Sequence, residues 1–294
     1  MVTMQAQRTE LHGSRWHFQH GPIDIIIGAN GDAAVLEIAH EQAWNRFKNI
    51  LQELVEELPL LRTLVQGTCP VRSPIARRMW LACKPYQSGF ITPMAAVAGS
   101  VAQELVQFYQ ADGIRRAWIN NGGDIAIHLT ADESVQVGLY ANLEKFNEKQ
   151  LENGISLDAQ VKICGLSAVR GVATSGWRGR SFSLGIADSV TVLARTAAQA
   201  DAAATVIANA VNIENWRIIR RPACDIKDDS DLDARLVTVD VPQLEAELVQ
   251  QALAAGLACA VALRAQGLIC SAVLVCQNQC MTTEAAEHVM PENF

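Results

Sequence analysis

The sequence has no excess of positive charge: 31 Asp and Glu outweigh 24 Lys and Arg, giving a formal net charge of -7. That balance argues against a nucleic-acid surface, although backbone amides can still hold an anionic cofactor. A CxxC pair is also missing, so the eight cysteines read as reduced, mostly buried thiols rather than a disulfide frame. His17, His20, Cys270, Cys276 and Cys280 lack the spacing of a closed zinc site and read as strand histidines and core thiols. Neither G-x-S-x-G nor a Walker loop occurs, which removes the strongest motifs of the hydrolase and phosphate-loop classes. The opening "MVTMQAQRTELHGSRWHF" lacks the apolar core of a secretion signal. The apolar run near 252–265 is interrupted by Gly256 and Arg264, short of a membrane span. Together these absences predict a cytoplasmic protein with neither membrane nor nucleic acid as partner.

What is present is a chain of 294 residues, half of them hydrophobic and only 19% charged. It can bury a large core as one big domain or two tightly joined halves. "GPIDIIIGANG" reads as a short strand closed by a Gly-Ala-Asn-Gly turn, and helical spacing of apolar residues then runs from Ala33 to about Leu58. A short helix is expected around Ile75 to Cys83. A second, "MAAVAGSVAQELVQFYQADG", opens on small residues and closes at Gly113. "RAWIN" and "DIAIHL" flank "NGG" as a strand pair. "SVQVGLYA" and the region from Gly165 to Val192 add strands, and "RLVTVDV" and "GLICSAVLV" enclose a helix from about Pro242 to Gln266. Helices packed on a largely antiparallel sheet, an α+β sandwich with two roughly similar halves, fit this order.

Three stretches could carry chemistry. In "TAAQADAAATVIANAV", Thr196 and Gln199 form a T-x-x-Q capping box that leaves Asp201 beyond the first turn's orphan amides. Asp201, Thr205 and Asn209 then line one face of an apolar helix. Either Thr205 bonds back to the carbonyl of residue 201 while Asp201 caps or meets solvent, or the carboxylate and hydroxyl share a hard cation such as Mg²⁺. In "INNGGDIAIHL", paired glycines suggest a plain hairpin or a place where a ligand nears the backbone, and Asn120, Asn121 and Asp124 make it more polar than a hairpin needs. In "VATSGWRGRSFSLGIADSVTV", Thr174, Ser175 and Gly176 with Arg178 and Arg180 suit either a surface turn or a phosphate cradle. "DDSDLDARLVTVD" approaches a calcium loop, but Ala234 replaces its glycine and a strand follows, so it reads as an acidic turn.

Taken in order, "GFITPMAAVAGSVAQELV", "WINNGGDIAIHL", "GVATSGWRGRSFSLGIADSVTVLA", "ADAAATVIANAV" and "DSDLDARLVTVDV" resemble an uncharacterised prokaryotic family of the ApbE-like superfamily, related to FAD:protein FMN transferase. The best-matched portion is 89–240, within a single ApbE-like domain over 1–294. The resemblance implies a T-fold-like architecture binding FAD or FMN. It implies Mg²⁺ held by Asp201 and Thr205, and nucleotide contacts from Gly122, Gly123, Asp124, Thr174, Ser175 and Gly176, to which the polar neighbours Asn120 and Asn121 and the cation Arg180 are added as expected cofactor contacts. Transferases of this kind attach FMN from FAD to a threonine or serine of an acceptor protein. The alternatives are a flavin-dependent redox component acting on a small metabolite with a redox partner, and a non-catalytic flavin carrier or sensor. Two departures stand out. The His-Ile-x-Asp-Pro-like segment after T-S-G is replaced by "SFSLGIADSVTV", and a Lys-Gly pair appears as Ala98-Gly99. Arg180 or Asp188 is the residue expected to replace any missing histidine contacts.

Overall fold

The structure, a computed structural model, describes residues 5–139, 159–283 and 289–290. Its chain forms two compact units that exchange segments: Met1–Ser134, Cys164–Ala173 and Leu193–Ala202 make one, and Val135–Ile163, Thr174–Val192 and Ala203–Phe294 the other.

In the first unit, strands β1 (Gln7–Leu11), β2 (Arg15–His20) and β3 (Ile23–Gly31) form an antiparallel meander. β3 pairs antiparallel with β4 (Ile114–Asn121), which pairs with β5 (Asp124–Leu129). Gly-Ala-Asn-Gly does not close β3 as a turn; it lies within the strand. The reason is packing: Gly28 lies opposite Trp118, whose indole occupies the space a side chain at residue 28 would need. Helix α1 (Ala33–Glu56) buries Ala39, Ala43, Phe47, Ile50 and Leu54 at helical spacing and packs on β2 and β3. After the short α2 (Leu58–Leu61), α3 (Pro74–Cys83) packs against α4 (Val97–Val106), which lies on β4 and β5. The expected second helix is thus shorter than its apolar pattern, with 3₁₀ turns at Pro93–Ala96 and Gln107–Tyr109 flanking its α-helical core.

A buried charge network fixes α4 laterally. Glu104 accepts Arg46 Nε at 2.7 Å and Arg78 Nη2 at 2.9 Å, while Arg78 Nη1 donates to the Ser100 carbonyl at 3.1 Å. Burial alone would raise the Glu104 pKa, but the two guanidinium groups hold it below the usual carboxylate value. Nothing in the sequence's local pattern marks this network, because its members come from three helices.

β6 (Ser134–Leu139) covers most of the predicted "SVQVGLYA" strand; Tyr140 and Ala141 lie outside the described residues. β7 (Ala159–Cys164) continues its sheet, and β8 (Gly171–Ser175) pairs antiparallel with β5 through Gly171 and Val172. β8 neighbours β9 (Ser189–Ala194). Helix α5 (Ala197–Ala210) follows, then the antiparallel ribbon of β10 (Ile219–Pro222) and β11 (Leu236–Asp240). Helix α6 (Ala246–Ala265) packs on the hairpin of β12 (Ser271–Cys276) and β13 (Gln279–Thr282), and β14 (Val289–Met290) pairs with β7. By length and composition α6 does qualify as a membrane span, contrary to the sequence expectation, although a third of its most apolar window is buried inside the protein. Val249, Ala252, Leu253, Gly256, Ala260 and Leu263 form its inner face. The large antiparallel sheet with helices on it is the expected α+β arrangement. Of the three clustered cysteines only Cys276 is a core thiol; Cys270 is half-buried and Cys280 exposed.

Candidate functional site

Alanine dominates α5 because its first turns have almost no room. A Cβ at Gly99 would collide with the carbonyl oxygen of Ala197, and one at Gly171 with the backbone of Thr196 and Ala197. Ala197, Ala198, Ala200 and Ala202 are accordingly buried. Close backbone approach of this kind selects the smallest residues on both sides.

At the crossing the two helices cap one another. The α4 N-terminus has no side-chain cap of its own. Asp201 fills that role from α5, accepting the Gly99 N–H at 2.9 Å, where a carboxylate also meets the positive end of the helix dipole. In return Gln103 of α4 accepts the Ala198 N–H at 3.3 Å, beside the predicted Thr196 cap, which accepts the Gln199 N–H at 3.3 Å. The capping box is real in its Thr196 half. Asp201 nonetheless has a structural partner, one that a local reading misses because it lies 102 residues away.

The residue is half-buried by surface area, yet its carboxyl lies deep among protein atoms. Burial pushes its pKa up to about 7, against the opposing pull of the Gly99 and Ala98 N–H groups. One turn on, Thr205 does not bond back to residue 201; its hydroxyl has no hydrogen-bond partner among the described residues. Asn209 accepts the Leu184 N–H at 2.9 Å and the Ser183 hydroxyl at 3.3 Å, so the third member of the polar stripe anchors a loop.

The Gly-Gly segment adjoins the same crossing. Gly122 and Gly123 adopt φ of 66° and 111° between the paired Asn121 and Asp124, the two-residue hairpin that requires left-handed backbone twice. Asn120 accepts the Gly123 N–H at 2.8 Å, and the buried Asn121 donates to the Ala98 carbonyl at 3.1 Å. Both side chains are therefore engaged within the protein, while Gly122 and Gly123 are exposed and Asp124 half-buried. Asn120→Ala is expected to cost about 1 kcal/mol, seen as a drop of roughly 2–4 °C in the thermal midpoint. An unchanged midpoint would show that the bond contributes nothing.

In the second unit Thr174 is exposed and shares a 2.9 Å hydroxyl contact with Thr191, Ser175 is half-buried, and Arg180 is exposed. Gly176 is buried against the carbonyl of Asp188. Asp188 is not open to a ligand as expected: Trp177, Arg178 and Gln277 all donate to its carboxylate. The structure thus gathers Asn121, the first turn of α4 and Asp201 into one cluster, and Thr174 to Arg180 with Asp188 into another. Gln103, Trp177 and Gln277 were not singled out from sequence. Only the proximity of Trp177 to T-S-G offered a signal.

The family model described as "AbpE bacteria" matches residues 6–283. A UPF0280 protein of Methanothrix thermoacetophila is 39% identical over 165 residues, covering 55% of this chain and 63% of that relative, so under two thirds of its length is spanned. A UPF0280 protein of Methanosarcina acetivorans is 34% identical over 201 residues, 67% of this chain and 72% of the other. The crystal structure of the flavinyl transferase ApbE of Pseudomonas stutzeri in its apo form shares 12% identity over 96% of both chains, at a TM-score of 0.43. With the family match running over nearly the whole chain, this protein belongs to the AbpE bacteria family.

Proposed function

We propose that this cytoplasmic protein binds a flavin nucleotide with Mg²⁺ through Asp201 and Thr205, and transfers FMN from FAD to a hydroxyl of a protein acceptor. The observation that carries the reading is Asp201, an acidic group deep in an alanine-lined crossing with its proton affinity raised. Thr205 adds, one turn away, a hydroxyl that has no partner among the described residues. Among the described residues no three His, Cys, Asp or Glu gather to hold a metal. Two protein oxygens suit Mg²⁺, which retains waters and takes substrate phosphates rather than a closed protein cage. Bound there, it would neutralise charge on the pyrophosphate.

The chain's own residues supply the rest of the site. Within the first unit the exposed Gly122-Gly123 turn would let a nucleotide approach the backbone; taken by itself, the second unit has exposed Thr174 and Arg180, a hydroxyl and a cation of the kind that phosphate oxygens accept from. In the transfer, the acceptor oxygen bonds to the FMN phosphorus as the bond from that phosphorus to AMP breaks. The hydroxyl proton passes to solvent.

One observation favours a carrier or redox role instead. In the segment standing where transferases carry their histidine, Gly185 is pressed against the Ala208 and Val211 carbonyls, leaving no space for a side chain. Calorimetry with FAD, with and without Mg²⁺, is the first test, and affinity that requires the metal is the expected result. Absence of binding at micromolar FAD with Mg²⁺ would sink the flavin reading. AMP release with FMN gained by an acceptor separates transfer from carriage, and reduction of bound flavin by a donor favours the redox role.

A further inference from the structure

The two residues that follow T-S-G in the second unit converge on a single carboxylate. Asp188, only 13% exposed in its side chain, accepts Arg178 Nε at 3.0 Å and Trp177 Nε1 at 3.3 Å on one oxygen. Its other oxygen takes the Gln277 N–H at 2.6 Å. Gln277 and Asn278 sit at φ of 45° and 65° in the β12–β13 turn, a region uncommon for a glutamine. The Gln277 side chain locks that turn further, accepting the Leu244 N–H at 2.9 Å and donating to the Pro242 carbonyl at 2.7 Å. A rigid hairpin therefore fixes Asp188, and Asp188 fixes the arginine.

Arg178 is held on a second side as well, its guanidinium stacked over the Trp177 ring at 4.7 Å from the centroid. A guanidinium held by stacking and by a carboxylate at Nε has lost most of its rotamer freedom before any ligand arrives, which lowers the entropy cost of binding an anion. Local charge points the same way. Residues 174–188 carry Arg178 and Arg180 against Asp188 alone, two cations to one anion in a chain of net charge -7.

We propose that Arg178 recognises a phosphate group of the nucleotide and that Asp188 is its positioning residue; this rests on the nucleotide reading above. The test titrates wild type, Arg178→Gln, Asp188→Ala and Asp188→Asn with FAD plus Mg²⁺, and with riboflavin, which lacks phosphate. Arg178→Gln should weaken FAD binding about tenfold or more, flatten its salt dependence and leave riboflavin affinity unchanged. Asp188→Ala should weaken FAD in the same direction, and Asp188→Asn, which keeps an acceptor oxygen, should recover most of that loss. If Asp188→Ala fails to fold, the arginine variant still decides. Wild-type FAD affinity retained in Arg178→Gln overturns this proposal alone, as does an equal loss for FAD and riboflavin, which would mark a structural role. Wild type binding neither ligand overturns both this proposal and the reading beneath it.

Discussion

Asp201→Asn is expected to leave the fold standing and abolish Mg²⁺-dependent nucleotide binding, whereas Asp201→Ala should lose both binding and stability. The two substitutions separate the roles the carboxylate combines. Alanine leaves the Gly99 N–H without its acceptor at a buried helix end, a cost of about 1–3 kcal/mol. Asparagine keeps an oxygen for that N–H and resembles the neutral carboxyl, but brings no negative charge to a cation. Because burial holds the Asp201 pKa at about 7 in the folded protein, against about 3.9 in an unfolded chain, the folded state binds the extra proton between those values. The stability this group contributes is therefore full below about pH 4 and lost as pH rises through about 7. Urea midpoints for wild type without metal should fall over that window relative to Asp201→Asn, which has no such proton. Mg²⁺ needs the ionised form, so wild-type metal affinity should rise over the same interval. Unchanged Mg²⁺ dependence in the asparagine variant would refute the metal assignment.

How much of this was legible in the sequence depends on the distance over which each residue acts. Periodicity located α1 closely, and the Gly122-Gly123 hairpin followed from turn chemistry, because those signals lie within a few residues. β3 was misread at Gly28 because glycine in a strand looks like a turn until its cross-strand partner, Trp118, is known. Asp201 shows both sides. Its place on a polar stripe was readable, and so was the absence of a cap within its own helix. Its tie to Gly99 was not, because no local pattern encodes a cap supplied by another helix. The alanines of α5 are required by the backbones of α4 and β8 pressed against them, which a sequence pattern does not show. Asp188 was legible as a stand-in for missing histidine contacts; that three donors from two segments converge on it instead is a product of the tertiary fold.

Gly99→Ala should be among the most damaging single-methyl additions in the chain, costing about 2–4 kcal/mol. The new Cβ would collide with the Ala197 carbonyl oxygen and lie 2.9 Å from the Asp201 Cβ. Backbone cannot rotate away as a side chain can. Nor is α5 free to retreat, since its first residues are pressed against Gly171 and tied to Gln103. The start of α4 must move instead, stretching the Gly99 bond to Asp201 and shifting the Ala98 carbonyl that Asn121 holds. Stability and Mg²⁺-dependent binding should fall together. Gly89→Ala is the control, because its Cβ meets nothing closer than 3.7 Å, and it should stay within about 0.5 kcal/mol of wild type. Combining Gly99→Ala with Asp201→Ala should cost less than the sum of the two, since both act on one contact. Strict additivity in denaturant melts would show that the crossing and the carboxylate are independent. Coupling would instead tie the glycine at position 99 to the placement of the Asp201 carboxylate. The helix crossing that holds Asp201 requires the glycine, whereas alanine at position 98 still supplies the backbone groups that Asp201 and Asn121 engage.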